Sequence, residues 1–252
     1  MNIKWNAKGY TDNFDFVHVY GEALLDMVKA PEGSSVVDLG CGNGALSVKL
    51  AEKGYRVTGV DASDEMLKTA AKLHPELKLV KGEAETFSLD EKADVIFSNA
   101  VFHWIDADRQ PMLAANLAAN LKPGGELVFE MGGKGCAESV HSCLEKEFAK
   151  HGLKYPRTFY FPSIGEHTPI LEANGFLVET ALLFDRPTAQ KTENGLVDWI
   201  NMFNTKPFEG MDETIKTEIL ASAERELKDQ LCINGVWYID YVRLRIKARR
   251  VR

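Results

Sequence analysis

Asp38 stands two residues before the first of three alternating glycines, Gly40, Gly42 and Gly44. Glycines at that spacing let a chain turn tightly and let a ligand reach backbone without meeting a Cβ. An apolar run, Val36-Val37, precedes the turn, and helical spacing from Ala45 to Lys53 follows it. Strand, glycine turn and helix make a nucleotide-binding corner, with unpaired N–H groups at the start of the helix. The carboxylate is the distinguishing group. A pyrophosphate gains nothing from an anion at Asp38, whereas a ligand carrying an ammonium or sulfonium is compensated by one. The glycines have a second register, because Gly40, Gly42 and Ala45 also satisfy the dinucleotide spacing G-x-G-x-x-[GA]. A second acid, Asp61, closes the run Tyr55 to Val60 at about the 20-residue offset of a ribose-binding carboxylate. An acid there can accept both ribose hydroxyls and argues against a 2′-phosphorylated ligand. It could also simply cap the helix that starts near Ser63. Ala62 adjoins it, and Met66, one turn into that helix, is placed to pack on an adenine.

Two further strand ends carry polar residues. Leu77 to Lys81 reads as a third strand that leads into Gly82-Glu83-Ala84-Glu85, and Ala93 to Ser98 as a fourth that leads into Asn99-Ala100-Val101-Phe102-His103-Trp104. Strand ends in parallel sheets point into the ligand crevice. His103 is the one candidate base with a positional argument: a neutral imidazole can take a proton from a hydroxyl. It could equally orient a substrate or pack. His18, His141 and His167 have no argument beyond their type. Cys41, Cys136, Cys143 and Cys232 form no C-x-x-C pair and have no zinc-like histidine spacing, so no metal is expected.

Asp38-x-Gly40-x-Gly42-x-Gly44 resembles the first motif of class I S-adenosylmethionine (SAM)-dependent methyltransferases, written [DE]-x-G-x-G-x-G. Gly82-Glu83-Ala84-Glu85 resembles the family's G-D-A-E loop, with Glu83 in place of the commoner Asp. Leu121-Lys122-Pro123-Gly124-Gly125-Glu126-Leu127 resembles its L-[KR]-P-G-G-x-[LF] turn into the fifth strand. Ser98-Asn99-Ala100-Val101 lacks the prolines of the [DNS]-P-P-[YFW] motif of amino and amide N-methyltransferases. Asn-Ala followed by an aromatic, histidine and tryptophan looks instead like the small-molecule methyltransferases of the trans-aconitate methyltransferase type. The resemblance implies SAM as cofactor and S-adenosylhomocysteine (SAH) as product. It implies cofactor contacts from Tyr10, Asp38, Gly40, Cys41, Gly42, Asp61, Ala62, Met66, Glu83, Ala84, Glu85, Asn99 and Ala100. Trp5, Phe14, Trp104 and Tyr160 are expected to line the acceptor pocket, and Arg157 and Arg186 are the nearest cations for an acidic acceptor. The reaction implied is methyl transfer to a small molecule, most simply at oxygen, a carboxylate oxygen included. A nicotinamide-dependent oxidoreductase, a non-catalytic SAM-binding protein and cyclopropane-type transfer to a lipid are the other readings.

The elements that must position these residues follow from periodicity. Phe16, Val17, Tyr20, Leu24 and Val28 recur at helical spacing within residues 1–30. Strands and helices then alternate through Phe129, which requires a mainly parallel sheet. Helices are expected over 138–151, 169–174 and, broken at Lys206-Pro207, 195–231. Strands are expected over 176–184 and 237–251. In the last, charges alternate with Leu244, Ile246 and Ala248, which reads as a strand with one wet side. The resemblance implies a single α/β domain: a three-layer Rossmann-like fold of seven strands in the order 3-2-1-4-5-7-6, strand 7 antiparallel. Residues 1–30 are its N-terminal helix, 31–135 its SAM-binding core and 136–252 its C-terminal part, with a helical cap at about 195–231. Trp199, Met202 and Phe203 could serve in that cap as a lid or as plain core.

With 252 residues, 45% of them hydrophobic, the chain can bury a large core. A formal charge of −7 and a pI near 5.5 argue against a nucleic-acid partner. No apolar run approaches the ~18 residues of a membrane span, and the N-terminus has no apolar signal core. A cytoplasmic protein with reduced thiols, a small-molecule partner and a monomeric or homodimeric state is expected.

Overall fold

A computed structural model describes residues 23–251 of the chain. Trp5, Tyr10, Phe14 and most of the expected N-terminal helix lie outside the described residues. Seven strands form one sheet in the order β3-β2-β1-β4-β5-β10-β6. The strands are β1 (Ser35–Leu39), β2 (Arg56–Asp61), β3 (Lys78–Lys81), β4 (Ala93–Asn99), β5 (Leu121–Gly132), β6 (Phe176–Asp185) and β10 (Val242–Arg250). The first five run parallel. β10 inserts antiparallel between β5 and β6. This is the expected seven-strand order.

Apolar residues fill both faces of the sheet. Ile96, Leu127, Phe129, Leu244 and Ile246 pack on one face beneath α3 (Gln110–Asn120) and α5 (Ile164–Ala173). Val36, Val95, Phe97 and Val128 pack on the other beneath Leu24, Leu25 and α1 (Ala45–Glu52). α2 (Asp64–Leu73), which links β2 to β3, starts at Ser63, whose hydroxyl accepts the Met66 N–H at 3.3 Å. A third cluster joins α4 (Glu138–Lys150), α6 (Gly195–Phe203) and α7 (Glu213–Leu231). Trp199 and Phe203 are buried in it, with Met202 packed alongside, so these residues are core rather than a lid surface. Among the described residues no helix is long and apolar enough to cross a membrane.

Three local expectations change. The helix expected to begin at Pro169 begins at Ile164. Ser163 accepts the Glu166 N–H and the Glu166 carboxylate accepts the Ser163 N–H, and this reciprocal cap outweighs the proline inside the helix. The strand expected over 237–251 is two strands. β9 (Val236–Ile239) pairs with β7 (Thr188–Ala189) and β8 (Cys232–Ile233) in a small separate sheet, and the chain turns at Asp240-Tyr241 before β10. The basic side of β10 is not wet: Arg243 is 6% exposed and Arg245 and Lys247 are partly buried.

Candidate active site

The glycine turn leaves β1 at the point where the strand order reverses between β2 and β4. Gly40 has φ +75°, and a Cβ there would stand 2.2 Å from Val101 Cγ2. Gly42 has φ +55°, and a Cβ there would meet nothing within 4 Å. The first glycine is therefore required by the neighbouring loop, and the second opens free space above the turn. The Gly40 and Cys41 N–H groups both donate to the Val60 carbonyl, at 2.7 and 3.1 Å.

Of the two strand-end acids, Asp61 braces this turn and Asp38 is tied to the helix that follows it. Asp61 Oδ2 accepts the Gly42 N–H at 2.9 Å, and Oδ1 accepts the Ser63 N–H at 2.8 Å. Burial raises the Asp61 pKa, and the N–H bonds from Ser63 and Gly42 offset part of that rise. Asp38 is 2% exposed and accepts the Ser47 hydroxyl at 2.5 Å. Burial pushes its pKa up to about 7; the Ser47 bond opposes this and the Asp61 charge adds to it. Asp38 thus lies beneath the turn, not on the cleft wall.

The wall of that cleft is formed by Leu39, Gly40, Gly42, Asp61, Ala62, Met66, Gly82, Ala84, Asn99, Ala100, Val101 and Trp104, around an open volume of about 560 Å³. The sequence pattern placed Gly40, Gly42, Asp61, Ala62, Met66, Ala84, Asn99, Ala100 and Trp104 at the site, and the fold brings all nine together there. It missed Leu39, Gly82 and Val101, which are neighbours of motif residues and carry no functional group. Ala100 holds φ +62°, a left-handed conformation costing an alanine about 1 kcal/mol or more. Its N–H donates to the Glu130 carbonyl at 2.8 Å, which fixes the turn at the end of β4.

Besides Asp38, four expected cofactor or acceptor residues sit off this wall. Glu83 is exposed. Glu85 is buried and takes the Arg109 Nε at 2.8 Å, so its charge closes a loop instead of meeting a ligand. Cys41 is buried, and burial raises its thiol pKa so far that it remains a thiol. Tyr160 turns its hydroxyl to His167 Nδ1 at 3.3 Å.

His103 is 7% exposed and also off the wall, behind Trp104. Its Nδ1 accepts the Gly132 N–H at 3.2 Å, which places the ring proton on Nε2. Burial holds its pKa well below the ordinary histidine range, and the Arg243 charge adds to that. The imidazole is a fixed neutral donor, with its basic nitrogen already engaged. That geometry speaks against the base role the sequence left open. Trp104, on the wall, packs against Phe159 at 4.8 Å between ring centroids, and Phe159 stacks on Phe161 at 5.0 Å.

Beyond Asn99 the sheet carries a charge cluster that sequence reading did not find. Glu130 has no side-chain exposure and receives Arg186 Nη2 at 2.6 Å, Arg243 Nε at 3.2 Å, and Arg245 through Nε at 2.9 Å and Nη2 at 2.6 Å. Burial would raise the Glu130 pKa, but the three arginines outweigh it and hold the carboxylate ionised. The other suggested cation, Arg157, is held by Glu138 through two bonds at 2.7 and 2.8 Å and by Glu145 at 3.2 Å. His141 lines a second cavity of about 600 Å³ with Lys134, Arg157, Phe159 and Phe161. Its Nδ1 lies 2.7 Å from the Tyr155 hydroxyl, which accepts the Asn204 amide at 2.8 Å. Cys143, Glu147 and Glu226 lie close enough to share a metal ion, but Lys150 and Lys146 pair with the two carboxylates.

The chain resembles known proteins along its whole length. Residues 36–125 match a family model described as a methyltransferase domain. An uncharacterized methyltransferase of Schizosaccharomyces pombe is 28% identical over 98% of both chains. A trans-aconitate 2-methyltransferase of Variovorax paradoxus is 27% identical over 89% of both. Among solved structures, a TehB-like SAM-dependent methyltransferase from Corynebacterium glutamicum shares the fold with a TM-score of 0.57. It covers 97% of each chain at 18% identity. These matches decide the two glycine registers in favour of the methyltransferase motif.

Proposed function

We propose that this chain, which matches a methyltransferase domain over residues 36–125 and a trans-aconitate 2-methyltransferase over 89% of its length, transfers the methyl group of SAM to a carboxylate oxygen of a small organic acid. The observation that carries the acceptor class is the absence of a usable base. Asp61 is the one titratable side chain on the described wall of the cleft, and both its oxygens hold backbone N–H groups. His103, the nearest imidazole, is fixed as a donor. An acceptor that must lose a proton finds no side chain to take it among the described residues of the wall. A carboxylate arrives ionised and needs none.

The residues fit the cofactor. The cleft opens at the carboxyl ends of β1, β2 and β4, where sheets of this kind bind ligands. Gly42 leaves open space where a side chain would stand. Asp61 would accept the ribose hydroxyls through its remaining lone pairs, Met66 and Ala84 would bound the adenine, and Gly40, Asn99 and Ala100 would present backbone to the methionine end. Asp38, beneath the turn, would supply a compensating negative charge through space, not by contact. When bound, SAM supplies an electrophilic methyl group, so that the acceptor oxygen forms the new C–O bond while the S–C bond breaks and its electron pair stays on sulfur. The chain's part is alignment and exclusion of water, which Trp104 and the strained Ala100 turn would provide at the far wall.

The relatives named for trans-aconitate, a tricarboxylate, support the same class of acceptor. The test is SAH release with panels of carboxylic acids, phenols and amines between pH 6 and 9. A carboxylate acceptor gives turnover that is flat across that range. Turnover with phenols or amines alone, rising tenfold per pH unit, would overturn the proposal.

A further inference from the structure

We propose that Arg243 binds the carboxylate of the methyl acceptor; this inference rests on the reading that the acceptor is a small acid. Arg243 is 6% exposed, yet its protein contacts are few: Nε donates to Glu130 Oε1 at 3.2 Å, and the guanidinium carbon lies 5.7 Å from the centre of the Tyr241 ring. Its two terminal nitrogens have no hydrogen-bond partner among the described residues. The four N–H donors of these nitrogens are open to a ligand, and their fork matches a carboxylate.

Placement gives the second line. Asn99 pairs with Glu130, and Glu130 pairs with Arg245. Partners across a ladder project from one face, so Asn99, Glu130, Arg245 and Arg243 share a face of the sheet. Arg243 pairs with Gly132, the last residue of β5, and therefore sits at the carboxyl edge of the parallel strands, where such sheets bind ligands. Strand spacing of ~4.8 Å and a rise of ~3.3 Å per residue put its Cα about 12 Å from that of Asn99, on the cleft wall. An arginine side chain spans most of that gap. The Gly132 N–H opposite it holds His103, whose neutral ring therefore adds no competing positive charge.

The other two arginines have a different task. Arg245 grips Glu130 through two nitrogens and Arg186 through one. With those bonds in place, Glu130 stays ionised and fixed, and it orients Arg243 through Nε while leaving the terminal nitrogens available. The pattern favours a compact acid with more than one carboxylate, one group at Arg243 and another presented to the methyl donor.

The test is calorimetric titration of trans-aconitate, with malonate as a smaller probe, into protein saturated with SAH. Wild type binds trans-aconitate, Arg243→Gln weakens it about ten- to a hundredfold, and SAH affinity changes less than twofold. Arg243→Lys keeps the charge but not the fork and loses about tenfold or less. Should the glutamine variant fail to fold, the lysine variant decides: a loss of several-fold supports the proposal and unchanged affinity overturns it. Wild-type affinity in Arg243→Gln overturns it. So does wild-type protein that binds SAH but neither acid, a result that leaves methyl transfer standing and removes only the acid site. Protein that does not bind SAH removes both.

Discussion

Around Asp61 the chain is held by its own backbone. The Gly40 and Cys41 N–H groups donate to the Val60 carbonyl, the Gly42 and Ser63 N–H groups donate to the Asp61 carboxylate, and that carboxylate is the one side chain involved. Around Glu130, three strands away, the chain is held by side chains. Three guanidiniums from β10 and the end of β6 converge on one buried carboxylate, and two rings, Phe184 and Tyr241, lie beneath them. On the proposed function, the difference follows from what each region would recognise. A cofactor of constant shape is served by backbone geometry that one short motif encodes. An acceptor is selected by charge and shape, and those can be assembled only by residues far apart in sequence.

Removal of a single group separates the two kinds of construction. Glu130→Ala should have the largest effect on stability, because it leaves three arginines gathered without their shared anion. Loss of one partner of a buried ion pair costs about 3–5 kcal/mol, and a chemical denaturation midpoint that hardly moves would break the contrast. Gly40→Ala should come next. It forces a left-handed alanine, at about 1–2 kcal/mol, and overpacks Val101, at about 1–3 kcal/mol. SAH affinity should fall more than about a hundredfold with the remaining fold intact by circular dichroism. Undiminished SAH binding by this variant would show that the turn does not meet the cofactor.

Much of the cleft wall was legible in the sequence, because Gly40, Gly42, Asp61, Ala62 and Met66 lie within one strand–turn–helix unit and the start of the next. Their spacing is local, and local spacing is what a chain displays. The arginine cluster on Glu130 was not. Arg243 and Arg245 alternate with Leu244 and Ile246 in a pattern that a half-wet strand would also give. Only the insertion of β10 between β5 and β6 turns that side onto Glu130. His103 adjoins Trp104 of the cleft wall, but the state of its ring depends on a bond from Gly132, which no spacing reveals. The capping box at Ser163 was readable, and Pro169 drew the helix start away from it.

Titration sharpens the contrast more gently. Asp38 has an ordinary pKa of 3.8 and is raised to about 7 in the folded protein by burial. Between those values the folded state keeps a proton that the unfolded state has lost, so stability of the cofactor-free protein falls as pH rises from about 4 to 7 and is level above that. Asp38→Asn should remove that slope. Cationic SAM favours the ionised carboxylate, so SAM affinity should rise through pH 7 in wild type and stay flat in the variant. Calorimetry at pH 6 and 8 checks both. The smallest effect belongs to His103→Asn, which keeps an acceptor for the Gly132 N–H. Turnover should fall less than about tenfold, with an unchanged pH profile. A hundredfold loss with disappearance of an ionisation would restore the histidine as a base.

The central claim, transfer of methyl from SAM to a carboxylate oxygen, is tested most directly by following the methyl group itself. Protein is incubated with SAM labelled at that methyl and with small acids including trans-aconitate, and the products are read by mass spectrometry before and after mild alkaline hydrolysis. The account predicts a labelled product that loses its label to methanol in base, as a methyl ester does. A label that survives base, fixed on nitrogen or carbon, or SAH-competent protein that labels no acid, would contradict it.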